Sequence, residues 1–145
     1  MNRREILSAA GTFAAAAFVA PAMAAEHDHH DHGAMMAPNA AVITAALDCI
    51  RTGNACIAHC FELFAAGDTS VAACAKSVDQ MLSVCATLQK LASAGSTRLP
   101  EMAKLAMAVC LDCEKECRKH ADKHASCKAC ADSCAACAEE CRKLS

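Results

Sequence analysis

The feature of this chain that most constrains its fold is a stretch of 32 residues, Asp112 to Lys143, without Leu, Ile, Val, Met or Phe. All the apolar side chains in this stretch belong to Ala or Cys. A short helix stays docked on a domain mainly because it buries an apolar stripe. The stretch therefore predicts helical structure whose buried face is made of sulfur.

The cysteines of this region recur at helical spacing, in steps of three and four residues. The two runs are Cys110-x2-Cys113-x3-Cys117 and Cys127-x2-Cys130-x3-Cys134-x2-Cys137-x3-Cys141. Such steps place the cysteines of each run on one helix face, at the a and d positions of a heptad. We predict a third helix from Pro100, a connection at residues 122–125, and a fourth helix with Ser126 as its N-cap.

Two further helices are predicted upstream. The first runs from Ala40 to Ala66 after an N-cap at Asn39, and the second ends near Ala94 after a cap at Asp68 or Thr69. The apolar stripe of the second helix is Val71, Cys74, Val78, Met81, Cys85 and Leu88. With short connections throughout, residues 39–145 are expected to be an all-α domain, an antiparallel four-helix bundle with a cysteine-lined core.

The segment before the bundle has a different composition. Residues 1–24 contain Arg3-Arg4, an apolar run and an A-x-A cleavage site ending at Ala24, which is similar to a twin-arginine export signal. Export would deliver the protein to the periplasm or another extracytoplasmic space, and the apolar run is too short and Ala-rich to suggest a membrane span. Residues 25–38 alternate His and Asp and then contain Met35-Met36, which predicts a flexible arm suited either to weak metal capture or to a simple spacer.

Composition and missing motifs disfavour several functions. A net charge of −2 provides no basic field for nucleic acid or anionic lipid. The chain has no phosphate loop, no HExxH and no recognisable Ser-His-Asp arrangement, so no enzyme is predicted. A thiol oxidoreductase would place one CxxC beside a strand, whereas the pattern predicts no strand.

The 13 cysteines need an explanation other than packing or disulfides. A buried Cys contributes much less than the roughly 1.5–3 kcal/mol of a buried Leu. An odd number of cysteines leaves one thiol unpaired. Neighbours at i+3 and i+4 of a helix have Cβ atoms about 5–6 Å apart, whereas a disulfide needs about 3.5–4.5 Å. Metal binding fits this spacing better.

Among metals, the charge of the site favours a soft monovalent ion. A Cys₄ zinc site carries −2, and several such sites would place an expensive charge in a dry core. The C-x2-C-x2-C-x3-C-P run of many iron–sulfur proteins is absent. Cu(I) prefers thiolate, and one Cu⁺ per Cys⁻ leaves the core neutral. Zinc or iron–sulfur binding and a thiolate-rich metallochaperone remain the alternatives.

The cysteine runs and the export signal together resemble the bacterial copper storage proteins, a family of Cys-lined four-helix bundles described from methane-oxidising bacteria. The resemblance implies a store that holds many Cu(I) ions, about one per cysteine. It further implies a homotetramer and supply of copper to a copper enzyme such as the membrane methane monooxygenase. The ligands that the resemblance implies are Cys49, Cys56, Cys60, Cys74, Cys85, Cys110, Cys113, Cys117, Cys127, Cys130, Cys134, Cys137 and Cys141.

Histidine and methionine are candidate additional ligands. His120 and His124 extend the stripe of Cys117 beyond the end of the third helix, where they would either bind metal at the mouth of the bundle or simply interact with the helix dipole. His59 is expected to be exposed. Met36, in the arm, is a candidate ligand for incoming ions.

Overall fold

The computed structural model describes residues 38–145, which form four helices. They are α1 (Ala40–Ala65), α2 (Ala72–Ser93), α3 (Leu99–Arg118) and α4 (Ala125–Arg142). The predicted all-α four-helix fold is confirmed, and the described residues contain no strand. The predicted export signal, and all of the predicted arm except Pro38, lie outside the described residues.

The first two helices end in the same way, on a glycine with positive φ. The φ angle is 84° at Gly67 and 58° at Gly95, in the left-handed region that glycine adopts without steric cost. After α1, the N–H of Gly67 donates to Phe64 O at 3.0 Å and the N–H of Asp68 donates to Leu63 O at 2.9 Å. This pair of bonds is the Schellman motif, which satisfies the last helical carbonyls and reverses the chain.

The starts of the helices differ from the predicted caps. Asn39 precedes α1 but has φ 68°, and its side-chain amide donates to Ala92 O at 3.3 Å instead of accepting a helical N–H. Asp68 accepts the N–H of Ser70 in the connecting turn, so that α2 begins only after Val71. The predicted N-cap at Ser126 is wrong, because the N-cap position lies two residues earlier, at His124, and α4 starts at Ala125.

Each helix packs against two neighbours in cyclic order, α1 on α2, α2 on α3, α3 on α4 and α4 on α1. Consecutive helices run antiparallel because their connections are short. The start of α1 and the end of α2 therefore meet at one end, where Val42, Leu88 and Leu99 are buried. We call this the aliphatic end, and the other, where α1 ends and α4 begins, the histidine end.

By length and hydropathy alone, α1 would pass as a membrane-spanning helix. The same weak signal comes from the core helices of bundles, and α1 packs on α2 and α4 through a face that contains Cys49, Cys56 and Cys60. The larger apolar residues Leu47 and Phe61 lie outside this face, with 49% and 60% of their surface exposed. Cysteine, and not the largest side chains, thus determines which face of α1 is buried.

Candidate metal centre

All thirteen cysteines point into the core and none has measurable exposure. α1 contributes three, α2 two, α3 three and α4 five. On α4 the cysteines span residues 127–141, which corresponds to about 21 Å along the axis at 1.5 Å per residue. The sulfur atoms therefore line the inside of the bundle along most of its length, from the histidine end toward the aliphatic end.

Eleven of the thirteen sulfur atoms, all except those of Cys60 and Cys141, fall into four groups whose members lie within 4.8 Å of one another. The groups are Cys49/Cys85/Cys110/Cys137, Cys56/Cys74/Cys127, Cys56/Cys117/Cys130 and Cys113/Cys130/Cys134. Cys56 and Cys130 each belong to two groups, so the last three groups are linked through shared sulfurs, whereas the first group shares none. The first group draws one cysteine from every helix, which requires the complete bundle.

The shortest sulfur–sulfur contacts join different helices. The Sγ atoms of Cys74 on α2 and Cys117 on α3 are 3.4 Å apart, and those of Cys85 and Cys110, also on α2 and α3, are 3.7 Å apart. Cys56 on α1 lies 3.7 Å from Cys127 on α4. These cross-helix contacts exist because each helix presents cysteine at core positions that face a neighbour.

Two buried hydroxyls accompany the sulfurs between α1 and α4. Thr52 and Ser133 are hydrogen-bonded to each other at 2.6 Å between their oxygens. The Cys49 thiol donates to the Ser133 carbonyl oxygen at 3.2 Å. Thr52 and Ser133 are also the only buried polar residues within residues 38–145. No side chain of Lys, Arg, Asp or Glu is buried in that part of the chain.

Sulfur neighbours and burial shift the acidity of the thiols in opposite directions. The contact with Cys117 lowers the pKa of the Cys74 thiol, because a neighbouring S–H stabilises its thiolate. At Cys60 and Cys127, removal from water raises the pKa from 9.0 to about 11. Burial thus favours the neutral thiol at Cys60 and Cys127, whereas sulfur hydrogen bonding favours the thiolate at Cys74.

Three histidines gather at the histidine end of the bundle. His59 Nε2 lies 2.9 Å from His124 Nδ1, and the ring centroids of these two residues are 4.8 Å apart. The ring of His120 is 6.4 Å from that of His124. The prediction that His59 is exposed is wrong: it is half-buried because His124, at the start of α4, packs against it.

The candidate ligands differ in where they lie. The thirteen cysteines are in the core, while His120 is half-buried beyond the end of α3 and belongs to none of the four sulfur groups. Their role as ligands remains a prediction. Met36 lies outside the described residues. Sequence reasoning missed the His59–His124 contact, because α1 and α4 meet only in the folded bundle and 65 residues separate the two positions.

The fold and the buried sulfur groups define a thiol-lined four-helix bundle able to hold metal in its core. Its sequence matches the copper storage protein family over residues 35–145, and the chain belongs to that family. The chain is 31% identical to the uncharacterized cysteine-rich protein YhjQ of Bacillus subtilis (strain 168) over 105 residues. The matched region covers 72% of this chain and 94% of YhjQ.

Solved structures show the same architecture. The Cu(I)-bound copper storage protein BsCsp3 is 31% identical, with a TM-score of 0.63 over 72% of this chain and 94% of its own. The second structure is that of the copper storage protein Ccsp from Streptomyces lividans, loaded with 10 copper equivalents. It has a TM-score of 0.68 and 23% sequence identity, and the match covers 82% of this chain and 92% of the Ccsp chain. At that identity, the second likeness concerns the fold alone.

Proposed function

We propose that this chain stores Cu(I) inside its bundle, about one ion per cysteine, held by core thiolates. One observation carries the proposal: thirteen thiols are buried together, and no Lys or Arg is buried with them in residues 38–145. When thiols bind metal they lose their protons. A core of thirteen thiolates without a counter-cation would be costly, and one Cu⁺ for each thiolate cancels that charge.

The grouping of the sulfurs supports ion clusters over isolated sites. Cys56 and Cys130 are each within reach of two groups, so their thiolates are positioned to bridge between ions. Bridging is how a limited number of thiolates can hold a similar number of ions that prefer sulfur. Isolated Cys₄ zinc sites would use each cysteine once and leave a charge of −2 at each site.

The relatives support copper as the cargo. BsCsp3, at 31% identity, is known in a Cu(I)-bound form. Storage of copper by this chain agrees with the family to which it belongs.

Several finer parts of the proposal rest on the sequence. The twin-arginine motif in residues 1–24 supports export to the periplasm, and the resemblance supports a homotetramer and a copper-enzyme acceptor such as a membrane methane monooxygenase. His120, one turn after Cys117, supports a ligand at the histidine end, and Met36 remains a candidate ligand in the arm.

Titration of reduced apo-protein with Cu(I), in competition with a chelator of known affinity and without oxygen, tests the proposal. We expect chelator-resistant binding to continue to about one ion per cysteine, on the order of a dozen per chain. Saturation at one ion would indicate a metallochaperone instead. Saturation at four or fewer, or displacement of the bound copper by zinc, would overturn storage of Cu(I).

A further inference from the structure

The histidine end brings nitrogen ligands next to the closest pair of sulfurs in the described bundle. The backbone N–H of His120 donates to the carbonyl oxygen of Cys117 at 3.0 Å, which places His120 one turn after that cysteine. The Cys117 Sγ is in turn 3.4 Å from the Sγ of Cys74. His59 directly precedes Cys60, and His124 lies three residues before Cys127. The His59 and His120 rings both lie near that of His124, so the three imidazoles are together at this end of the sulfur-lined core.

The two kinds of donor suit different oxidation states of copper. Imidazole nitrogen stabilises Cu(II), whereas thiolate sulfur selects Cu(I). Within residues 38–145 all three histidines lie at this one end, and the core beyond them offers sulfur. An ion that arrives as Cu(II) would therefore meet imidazole first and a pair of touching thiols next.

We propose that the histidine end accepts Cu(II) and that the Cys74–Cys117 pair reduces it to Cu(I) before storage. Each Cu²⁺ gains one electron, so two Cu²⁺ ions become two Cu⁺ ions. The Cys74 and Cys117 thiols together lose two electrons and two protons, and one Cys74–Cys117 disulfide forms. The proposed event is a single stoichiometric turnover that requires no other reductant, and it rests on the proposed storage of Cu(I).

The geometry favours this pair over the deeper ones. A disulfide has an S–S distance of about 2.05 Å, so the two sulfurs must approach by about 1.4 Å from their present separation. The pair joins two neighbouring helices, α2 and α3, so the bond would link two helices and not two turns of one helix. Cys85 and Cys110 bridge the same helices at 3.7 Å but lie farther from the histidines, in the group with Cys49 and Cys137.

The test mixes reduced, oxygen-free full-length protein with two equivalents of Cu(II) sulfate and no added reductant. We expect the electron paramagnetic resonance signal of Cu(II) to disappear, and titratable thiols to fall from 13 to 11. Peptide mapping should join Cys74 to Cys117. A persistent Cu(II) signal, or disulfides scattered among many cysteines or located at Cys56–Cys127, would overturn the proposal.

Two variants locate the chemistry. Cys74→Ala/Cys117→Ala should slow reduction, whereas the control variant Leu88→Ala, which removes a fully buried side chain but no sulfur, should reduce Cu(II) at the original rate. Replacing His59, His120 and His124 by Gln should slow reduction about tenfold. This is the smaller end of the loss in metal affinity or activity that follows removal of groups that position a metal. Equal rates in all variants would contradict the proposal.

Direct Cu(I) titration of the same preparations separates the two proposals. If Cu(I) fills the core but Cu(II) is not reduced, storage stands and the reduction proposal fails. If Cu(I) does not fill the core, the storage proposal itself fails, whatever happens to Cu(II).

Discussion

Replacing the five cysteines of α4 by Ala separates their role as ligands from their role in packing. The buried face of α4 consists of its cysteines together with Ala131, Ser133 and Ala138, so no large apolar side chain compensates for them. Alanine keeps the helix, because it has the highest helix propensity. The variant carries substitutions at Cys127, Cys130, Cys134, Cys137 and Cys141.

The expected loss of copper capacity follows from the sulfur groups. Every one of the four groups contains at least one cysteine of α4, so each group loses a ligand. At one Cu(I) per thiolate, removing five of 13 thiols lowers the capacity by at least about five ions. Copper should also raise the melting temperature less than in the parent protein, because stabilisation follows the amount and affinity of ligand bound by the folded state.

Chelator titration and thermal melting on one anaerobic preparation measure both quantities. The matched control is Leu88→Ala, which removes a fully buried aliphatic side chain at the aliphatic end but no sulfur. It should cost about 2–5 kcal/mol of apo-protein stability and leave the copper capacity of the folded protein unchanged. An unchanged capacity in the five-fold variant would mean that the α4 cysteines only pack the core.

Three further predictions concern the protein without copper. Far-UV circular dichroism should retain most of its helical signal after copper removal, because the buried aliphatic side chains of α1 to α3 remain; a random-coil spectrum would contradict this. Because burial raises the pKa of Cys60 and Cys127 to about 11, unfolded thiols ionise above pH 9 while folded ones stay protonated. Denaturant unfolding should therefore show stability falling between pH 9 and 11, by on the order of 1.4 kcal/mol per pH unit for each thiol; constant stability would refute that assignment. A Cβ at Gly53 would lie 2.6 Å from Met81 Cε and 2.8 Å from Leu82 Cδ2, so Gly53→Val should cost about 1–3 kcal/mol in thermal melts, and no loss would show that both side chains move freely.

The sequence predicted the helices well because their limits depend on local chemistry. Gly67 and Gly95 end α1 and α2 by adopting positive φ, which glycine does readily. Where helices begin was harder to predict. Asn39 and Asp68 are typical capping residues, but Asn39 bonds to the end of α2 and Asp68 to a turn. Tertiary packing therefore determined the use of these side chains.

For the candidate site, the sequence predicted which cysteines are buried but not which of them meet across helices. Cysteines in steps of three and four must share a helix face, so burial of Cys110 or Cys134 follows from their spacing. Which cysteines meet across helices does not follow from spacing, because the rotation and register of each helix set the contacts of Cys74 with Cys117. The same holds for His59 and His124, which are far apart in sequence.

Anomalous diffraction from copper-loaded crystals tests the central claim most directly, because it locates copper independently of how tightly each ion is bound. We predict a row of copper peaks along the bundle axis, between the sulfur groups that include Cys49, Cys56, Cys113 and Cys130. Their number should approach one per cysteine, with sulfur as the main neighbour of each ion. Copper confined to surface histidines or carboxylates, with a core of thiols free of metal, would contradict storage by the core thiolates.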